Sequence, residues 1–348
     1  MLLKEIKYKK AYEDVIASKI VVWMWVNIFQ QCFQILKSNE VLNDSDIIRE
    51  AIVSGKIVYD NGLFTGKFNN SIAAELEKLG AKYSKYRKGY LLSKDKLPVE
   101  ILWAIDTAKA TAYTKAMAIN QFLLSQLSNL GELTKKLVFD EAVNAIMKNL
   151  QDRVYKNAKQ HKIELITPKL DSFMEDEIAK RYTENLNFWI KNWTEDQIVK
   201  MRNEVSVMAN VGKSTKTISD YIQKEFGISQ SHAKFLARNE SAIATSSYLS
   251  AKYEAEGFSS FKWHTIMDGR ERDLHKQLNG QIFRFDNPPI IDERTGQKGL
   301  PGQTYNCRCT FSPIIDGEFL RNRKQMFKAN NSLLEKIKNC LNLKRKTA

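Results

Sequence analysis

Asp268, Arg270, Arg272 and His275 cluster in one stretch of the sequence, and Cys307, Arg308 and Cys309 follow in another. Imidazole and thiolate are good zinc ligands, and zinc favours four of them in a tetrahedron. On a strand, residues two apart face the same way, so a strand over Asn306–Phe311 turns Cys307 and Cys309 to one side and Arg308 to the other. A helix over Asp268–His275 would put those two residues on one face, two turns apart. The expected metal set is therefore His275, Cys307, Cys309 and Asp268, with His264 as a substitute and zinc as the cofactor. Reduced thiols packed in a small core are the plainer reading of the same residues. The alternative chemistry is phosphodiester cleavage by a nuclease-like or toxin-like enzyme. In it His275 serves as general acid or base among Arg270, Arg272 and Arg308. No paired carboxylates, Gly-rich phosphate loop or HExxH motif accompany them, so no catalytic residue is assigned.

The elements that must position these residues read as mainly helical α+β. Residues 1–50 read as helix centred on the apolar segment Val15–Leu36. Residues 51–100 read as a small α+β insert, with a hairpin turning at Asn61-Gly62, a helix over Ser71–Leu79 closed by Gly80, and a strand near Gly89–Leu92. Helical spacing resumes at Val99. Gly131 is expected to end the first segment, Thr194 to open another as a capping box with Gln197, and Gly227 to close a short helix. Ser229 or Ser231 would then cap a long helix ending at Gly257. Beyond it, Phe261, Trp263 and Thr265 alternate with Lys262 and His264, Gln281–Phe285 reads as a second strand, and four of the six prolines lie between 288 and 313. The expected domains are 1–200, a helical region with its insert; 201–318, a helix followed by a small loop-rich β lobe; and 319–348, a basic tail.

The chain has 54 Lys and Arg against 40 Asp and Glu, a net charge of +14. Lys78–Lys96 carries +6 of this and residues 319–348 carry +8. Such stretches are solvated surface or contacts for phosphate backbones. In the tail, Arg321, Arg323, Lys324, Lys328, Lys344, Arg345 and Lys346 are the candidate nucleic-acid contacts, and Leu333, Leu334, Ile337 and Leu341 recur at helical spacing. No base-reading motif is present, so binding to double-stranded DNA would be independent of sequence. Four cysteines form no disulfide framework, which points to a reducing compartment. The run Ile20–Phe29 is too short to span a bilayer, and no membrane partner is expected. Of the six tryptophans, Trp23, Trp25, Trp103, Trp189 and Trp193 lie before residue 201. They are interface candidates, with Trp103 and Trp189 at least as readily core.

Trp263-His264-Thr265, Asp268-Gly269-Arg270, His275, Leu278, Gly280, Pro301-Gly302 and Asn306-Cys307-Arg308-Cys309 together resemble the C-terminal signature of the Mu F-like head morphogenesis proteins of tailed bacteriophages. Arg238-Asn239-Glu240 looks like that family's helical Arg-Thr-Glu element, with Asn239 in place of Thr. Arg238, Glu240, Trp263, Arg270, Gly280 and Arg308 are the family-motif positions, over a resemblance covering roughly residues 201–315. Many members have Cys-x-x-Cys or Cys-x-x-His after the Asp-x-Arg element; here Arg272 stands at the first of those positions and His275 at the second. The resemblance implies a minor head protein in the virion, inside the capsid near the portal and in the host cytoplasm during assembly. Its implied partners are the portal protein, other head proteins and DNA during packaging or delivery. Arg238 and Glu240 do not face each other on a helix, and each is expected to meet another element, for instance Arg270 or Asp268.

Overall fold

The computed structural model describes residues 1–37, 47–167, 170–329 and 332. These divide into two compact units. One comprises Met1–Lys19, Val138–Trp189 and the chain from His232 onward; the other comprises Ile20–Leu137 and Ile190–Ser231. The fold is mainly helical α+β.

The apolar N-terminal segment forms α1 (Ala11–Met24), a π turn (Trp25–Phe29) and α2 (Gln30–Lys37) in unbroken succession. By length and hydropathy this helical stretch is sufficient to cross a membrane, a property not apparent from Ile20–Phe29 alone. Ile20, Trp23, Met24, Ile28, Phe29 and Cys32 are buried within the protein. Burial pushes the Cys32 thiol up to about 12, and its sulfur lies 3.2 Å from the Ile28 carbonyl.

In the second unit, α3 (Ile47–Val53) leads to a small antiparallel sheet. The hairpin β1 (Ile57–Asp60) and β2 (Leu63–Gly66) turns at Asn61 and Gly62, both with positive φ. That is the backbone a two-residue hairpin requires and the reason for Asn-Gly. Next comes α4 (Asn70–Lys78). The Asn69 side chain accepts from the Ile72 amide at its N-terminus, and Gly80 follows with φ 86°. The strands β3 (Lys82–Ser84) and β4 (Gly89–Leu91) complete the order β1-β2-β4-β3. Ile57, Tyr59, Phe64 and Tyr90 pack with Ile72 and Leu76 into one apolar cluster, which α5 (Val99–Lys135) closes with Ile101, Ala104 and Ile105.

The remaining helices are longer than the punctuation suggests. α5 runs through Gly131, α7 (Ser172–Asn210) runs through Thr194, and α8 (Thr215–Ala255) runs through Gly227, Ser229 and Ser231. Thr194 is buried mid-helix, and its hydroxyl caps nothing. Ser229 and Ser231 donate to the carbonyls of Glu225 and Gly227 four residues back, so their hydroxyls are used inside the helix. A helical glycine costs about 1 kcal/mol relative to alanine, and flanking buried residues such as Leu130, Ile222 and Ala233 outweigh that. The stop at Gly257 holds, with positive φ, and Gly212, also with positive φ, follows the end of α7. α6 (Asp140–Gln160) belongs to the first unit with the N-terminal part of α7.

Beyond α8 the first unit forms a lobe of short elements. Its three-stranded antiparallel sheet has the order β6 (Ile282–Arg284), β5 (Ser260–His264), β9 (Thr310–Pro313). Phe261 lies 5.0 Å from Phe285 and 5.3 Å from Phe311, ring to ring, forming the lobe's core. The chain's first residues extend this sheet: Leu2 bridges Ile314, and the Leu3 amide donates to the Pro313 carbonyl. A short α9 (Asp273–Leu278) and a two-stranded ribbon, β7 (Ile290–Asp292) with β8 (Gln297–Lys298), fill the loop-rich stretch. Residues 317–329 are helical. The amphipathic pattern at Leu333, Leu334, Ile337 and Leu341 lies outside the described residues, as do Lys344, Arg345 and Lys346.

The tryptophan ranking is reversed. Trp23 is buried, whereas Trp103 and Trp189 are the exposed ones, at 53% and 47%.

Candidate metal centre

His275, Cys307 and Cys309 converge, all three buried, with their ligand atoms within 4.8 Å of one another. Two expectations about the backbone are corrected here. Cys307 and Cys309 precede β9 in an extended loop rather than lying on a strand, because Asn306 with φ 55° turns the chain and pairing with β5 starts only at Thr310. Their i, i+2 spacing still turns both sulfurs the same way. The helix α9 begins at Asp273, so Asp268 lies in the preceding loop rather than on a helical face shared with His275.

Local chemistry orients the imidazole. Its Nε2 lies 3.1 Å from the Ile291 carbonyl oxygen, which can only accept, so Nε2 carries a proton and Nδ1 faces the sulfurs. Nδ1 is 3.5 Å from Cys307 Sγ and 3.5 Å from Cys309 Sγ. The Trp263 ring packs edge-on against the imidazole at 5.5 Å. Its indole N–H donates to Thr265 Oγ1, and that hydroxyl donates in turn to the His275 carbonyl at 2.6 Å. Hydrogen bonding from Cys309 pushes the Cys307 thiol down to about 4 against the opposing effect of burial, and His275 assists. Burial opposes the His275 cation, but the Cys307 sulfur outweighs it and raises the imidazole. Cys309 moves up as the thiol that donates to Cys307.

The set fits a zinc ion. With Zn–S near 2.3 Å and Zn–N near 2.0 Å, a tetrahedral angle separates nitrogen from sulfur by about 3.5 Å, the spacing found here. The carbonyl behind the distal imidazole nitrogen is the usual outer-shell partner of a metal-bound histidine. A cavity of about 110 Å³, lined in part by Thr265, Glu271 and Arg272, adjoins the three donors.

Asp268 is not brought to the cluster. Its carboxylate takes both guanidinium nitrogens of Arg308, at 2.6 and 2.7 Å, and is also held by Arg270. The Arg308 and Arg270 hydrogen bonds hold its carboxyl well below the usual carboxylate range. The ring of His264 faces Ser312 Oγ at 2.9 Å. Arg272 donates to Thr304 Oγ1 and the Tyr305 carbonyl, so Arg270, Arg272 and Arg308 all have partners within the protein. Arg238 reaches Asn306 Oδ1 at 2.7 Å, and Asn239 Oδ1 accepts from the Asn306 amide at 2.7 Å, so this helical element clamps the turn leading to Cys307. Glu240 is buried and hydrogen-bonded by Asn239 and Asn185, with burial raising its carboxyl. Neither Arg238 nor Glu240 meets Arg270 or Asp268 as expected. Gly280 has φ 79° and donates its amide to the Trp263 carbonyl. In the helix 317–329, Arg321, Lys324 and Lys328 are exposed, while Arg323 is largely enclosed by the Phe319 and Phe327 rings and lies 3.9 Å from Glu256. The three-donor cluster was legible from residue types. The Ile291 carbonyl and the Asn306 clamp were not, because neither carries a side-chain signature linking it to the cysteines.

Residues 198–312 match the family of Phage Mu protein F like proteins. That segment is similar to Mu F-like proteins. The family is one of phage head morphogenesis proteins, and every motif position from Arg238 to Arg308 lies within the match. An uncharacterised protein of Haemophilus influenzae (strain ATCC 51907 / DSM 11121 / KW20 / Rd) is 28% identical over 127 residues, 36% of this chain. The alignment covers 27% of that relative's length. No solved structure matches the chain.

Proposed function

We propose that the chain is a minor head protein of a tailed phage that joins the portal and other head proteins during assembly and is retained in the virion. The Mu F-like segment carries this reading: Trp263, Gly280 and Arg308 of its motif lie in the lobe that holds His275, Cys307 and Cys309, and Arg238 reaches that lobe's Asn306 from α8. Co-expression with the portal and major capsid proteins of its phage, followed by purification of heads, tests it. The chain should co-purify with heads and with isolated portal; its absence from both overturns the assignment.

Within this reading, His275, Cys307 and Cys309 hold one zinc ion that fastens the Cys loop to α9 and the β7 ribbon. A bound zinc supplies a structural crosslink, with a water or a further donor at the fourth position. The purified reduced protein should contain about one zinc per chain, lost in Cys307→Ser together with part of its thermal stability. A folded, reduced protein without zinc, equally stable in chelator, excludes the site. Basic residues of 319–348 contact duplex DNA nonspecifically, and removing them should flatten a log–log salt dependence whose slope is about −0.9 per phosphate neutralised.

A further inference from the structure

A second cavity in the same unit, of about 360 Å³, has no part in the metal cluster's chemistry, although Cys307 and Cys309 form part of its wall. Ile6, Leu249, Ile266 and Phe311 make its apolar surface. Thr245 and Ser246 of α8 line it as well. Both are more than nine-tenths buried, and both hydroxyls have no hydrogen-bond partner among the described residues. Leaving a buried hydroxyl unpaired is costly, so two in one cavity favour an occupant that supplies the missing bonds. The exposed part of the lining is cationic: Lys7, Lys10, Arg238 and Arg308 against the single carboxylate of Glu13, which the Tyr8 hydroxyl engages. Arg308 is committed to Asp268, Arg238 to Asn306, and Lys7 lies 3.1 Å from Glu5. The Lys10 ammonium makes no ion pair among the described residues.

An apolar chamber with a few convergent polar groups is the usual form of a small-molecule site, and this volume lies at the lower end of their range. We propose that the cavity binds a small organic anion: a compact apolar body, a hydrogen-bonding group that reaches Thr245 and Ser246, and an anionic head at Lys7 and Lys10. Carboxylate and phosphate ester share the chemistry this head requires. Nothing in the inference depends on the metal or on the phage assignment.

The full-length protein is titrated calorimetrically with 4-hydroxyphenylacetate, phenylacetate, 2-(4-hydroxyphenyl)ethanol and phenyl phosphate. The hydroxy acid should bind saturably and raise the melting temperature, with the neutral alcohol about tenfold weaker. Lys7→Ala/Lys10→Ala should weaken the acid about tenfold and leave the alcohol unchanged. Thr245→Val, close in shape, should abolish the preference for the hydroxy acid over phenylacetate, and Ser246→Ala gives the same test should Thr245→Val destabilise the fold. Tighter binding of phenyl phosphate than phenylacetate identifies the head as a phosphate ester, and the reverse as a carboxylate; either supports the site. Equal affinity for acid and alcohol, an unchanged affinity in the lysine variant, or no saturable binding of any of the four overturns it.

Discussion

Two small sheets are built in this chain from different materials. The sheet β1-β2-β4-β3 closes on a mainly apolar cluster: Ile57, Phe64, Ile72 and Leu76 are almost wholly buried, the Tyr59 and Tyr90 hydroxyls are paired with Leu92 and Glu77, and its charges, Lys82, Lys85, Arg87 and Lys88, face water. The sheet β6-β5-β9 and the segments around it bury His275, Thr304, Ser312, Cys307 and Cys309, and charged pairs hold their loops. The first arrangement is complete in itself. The second leaves donor atoms facing one another and hydroxyls unpaired, which is the condition for taking a ligand. Polar burial is costly, so where it persists in a lobe this small it marks the part of the molecule with chemistry to do.

The contrast breaks first at the fully enclosed Lys252–Glu256 pair beside the lobe. Glu256 accepts from the amides of Ile166 and Thr167, and Lys252 donates to Thr167. Lys252→Met should cost about 3–5 kcal/mol by taking from the buried Glu256 carboxylate its close cation and leaving Arg323, 3.9 Å away, as its charged partner; chemical denaturation measures it. On α4, against the apolar sheet, Leu76→Ala should cost about 3 kcal/mol, the cost of a cavity, with no second-site charge change able to restore it. At Gly62, with φ 82°, substitution by Ala should cost about 1 kcal/mol and loosen only the β1–β2 hairpin, which amide exchange reads directly. The smallest effect sharpens the comparison by pH. Because the folded state depresses the Asp268 carboxyl, the stability it adds is complete above about pH 4 and is lost as pH falls through its lower folded value. Asp268→Asn should therefore flatten the acid limb of a melting-temperature profile without altering its neutral plateau beyond a constant offset. A variant retaining the parent's slope would show that the Arg308 and Arg270 contacts are not made in solution.

Local features with one conformational solution were legible in the sequence. Asn61-Gly62 demanded a tight hairpin, Gly257 ended α8, and the alternation through Trp263 described β5. Features whose meaning depends on packing were not. Gly131, Thr194 and Gly227 are stops only when nothing beyond them pulls the helix onward, and in α5, α7 and α8 buried residues on both sides did so. The site divides in the same way. Ligand chemistry identified His275, Cys307 and Cys309 before any fold was known, while Asp268, chosen for its charge, was claimed by two arginines that offer better partners than a shared metal would. Trp103 and Trp189 show that size and hydrophobicity do not assign a side chain to the core without knowing the face it occupies.

The pairing of Leu3 with Pro313 has a consequence in time. A ribosome adding about 5–20 residues per second makes the first of these long before the second, so the opening segment waits on the order of tens of seconds for the strand it completes. Through that interval the edge of β9 does not yet exist, and the segment holding Leu3 has only its contacts with α6, where Asn157 and Arg153 donate to the Lys4 and Lys7 carbonyls. The three-stranded sheet thus cannot close before β9 is made, and a nascent chain stalled before β9 would present an unpaired edge of β5 to any neighbour, including another copy at the same stage.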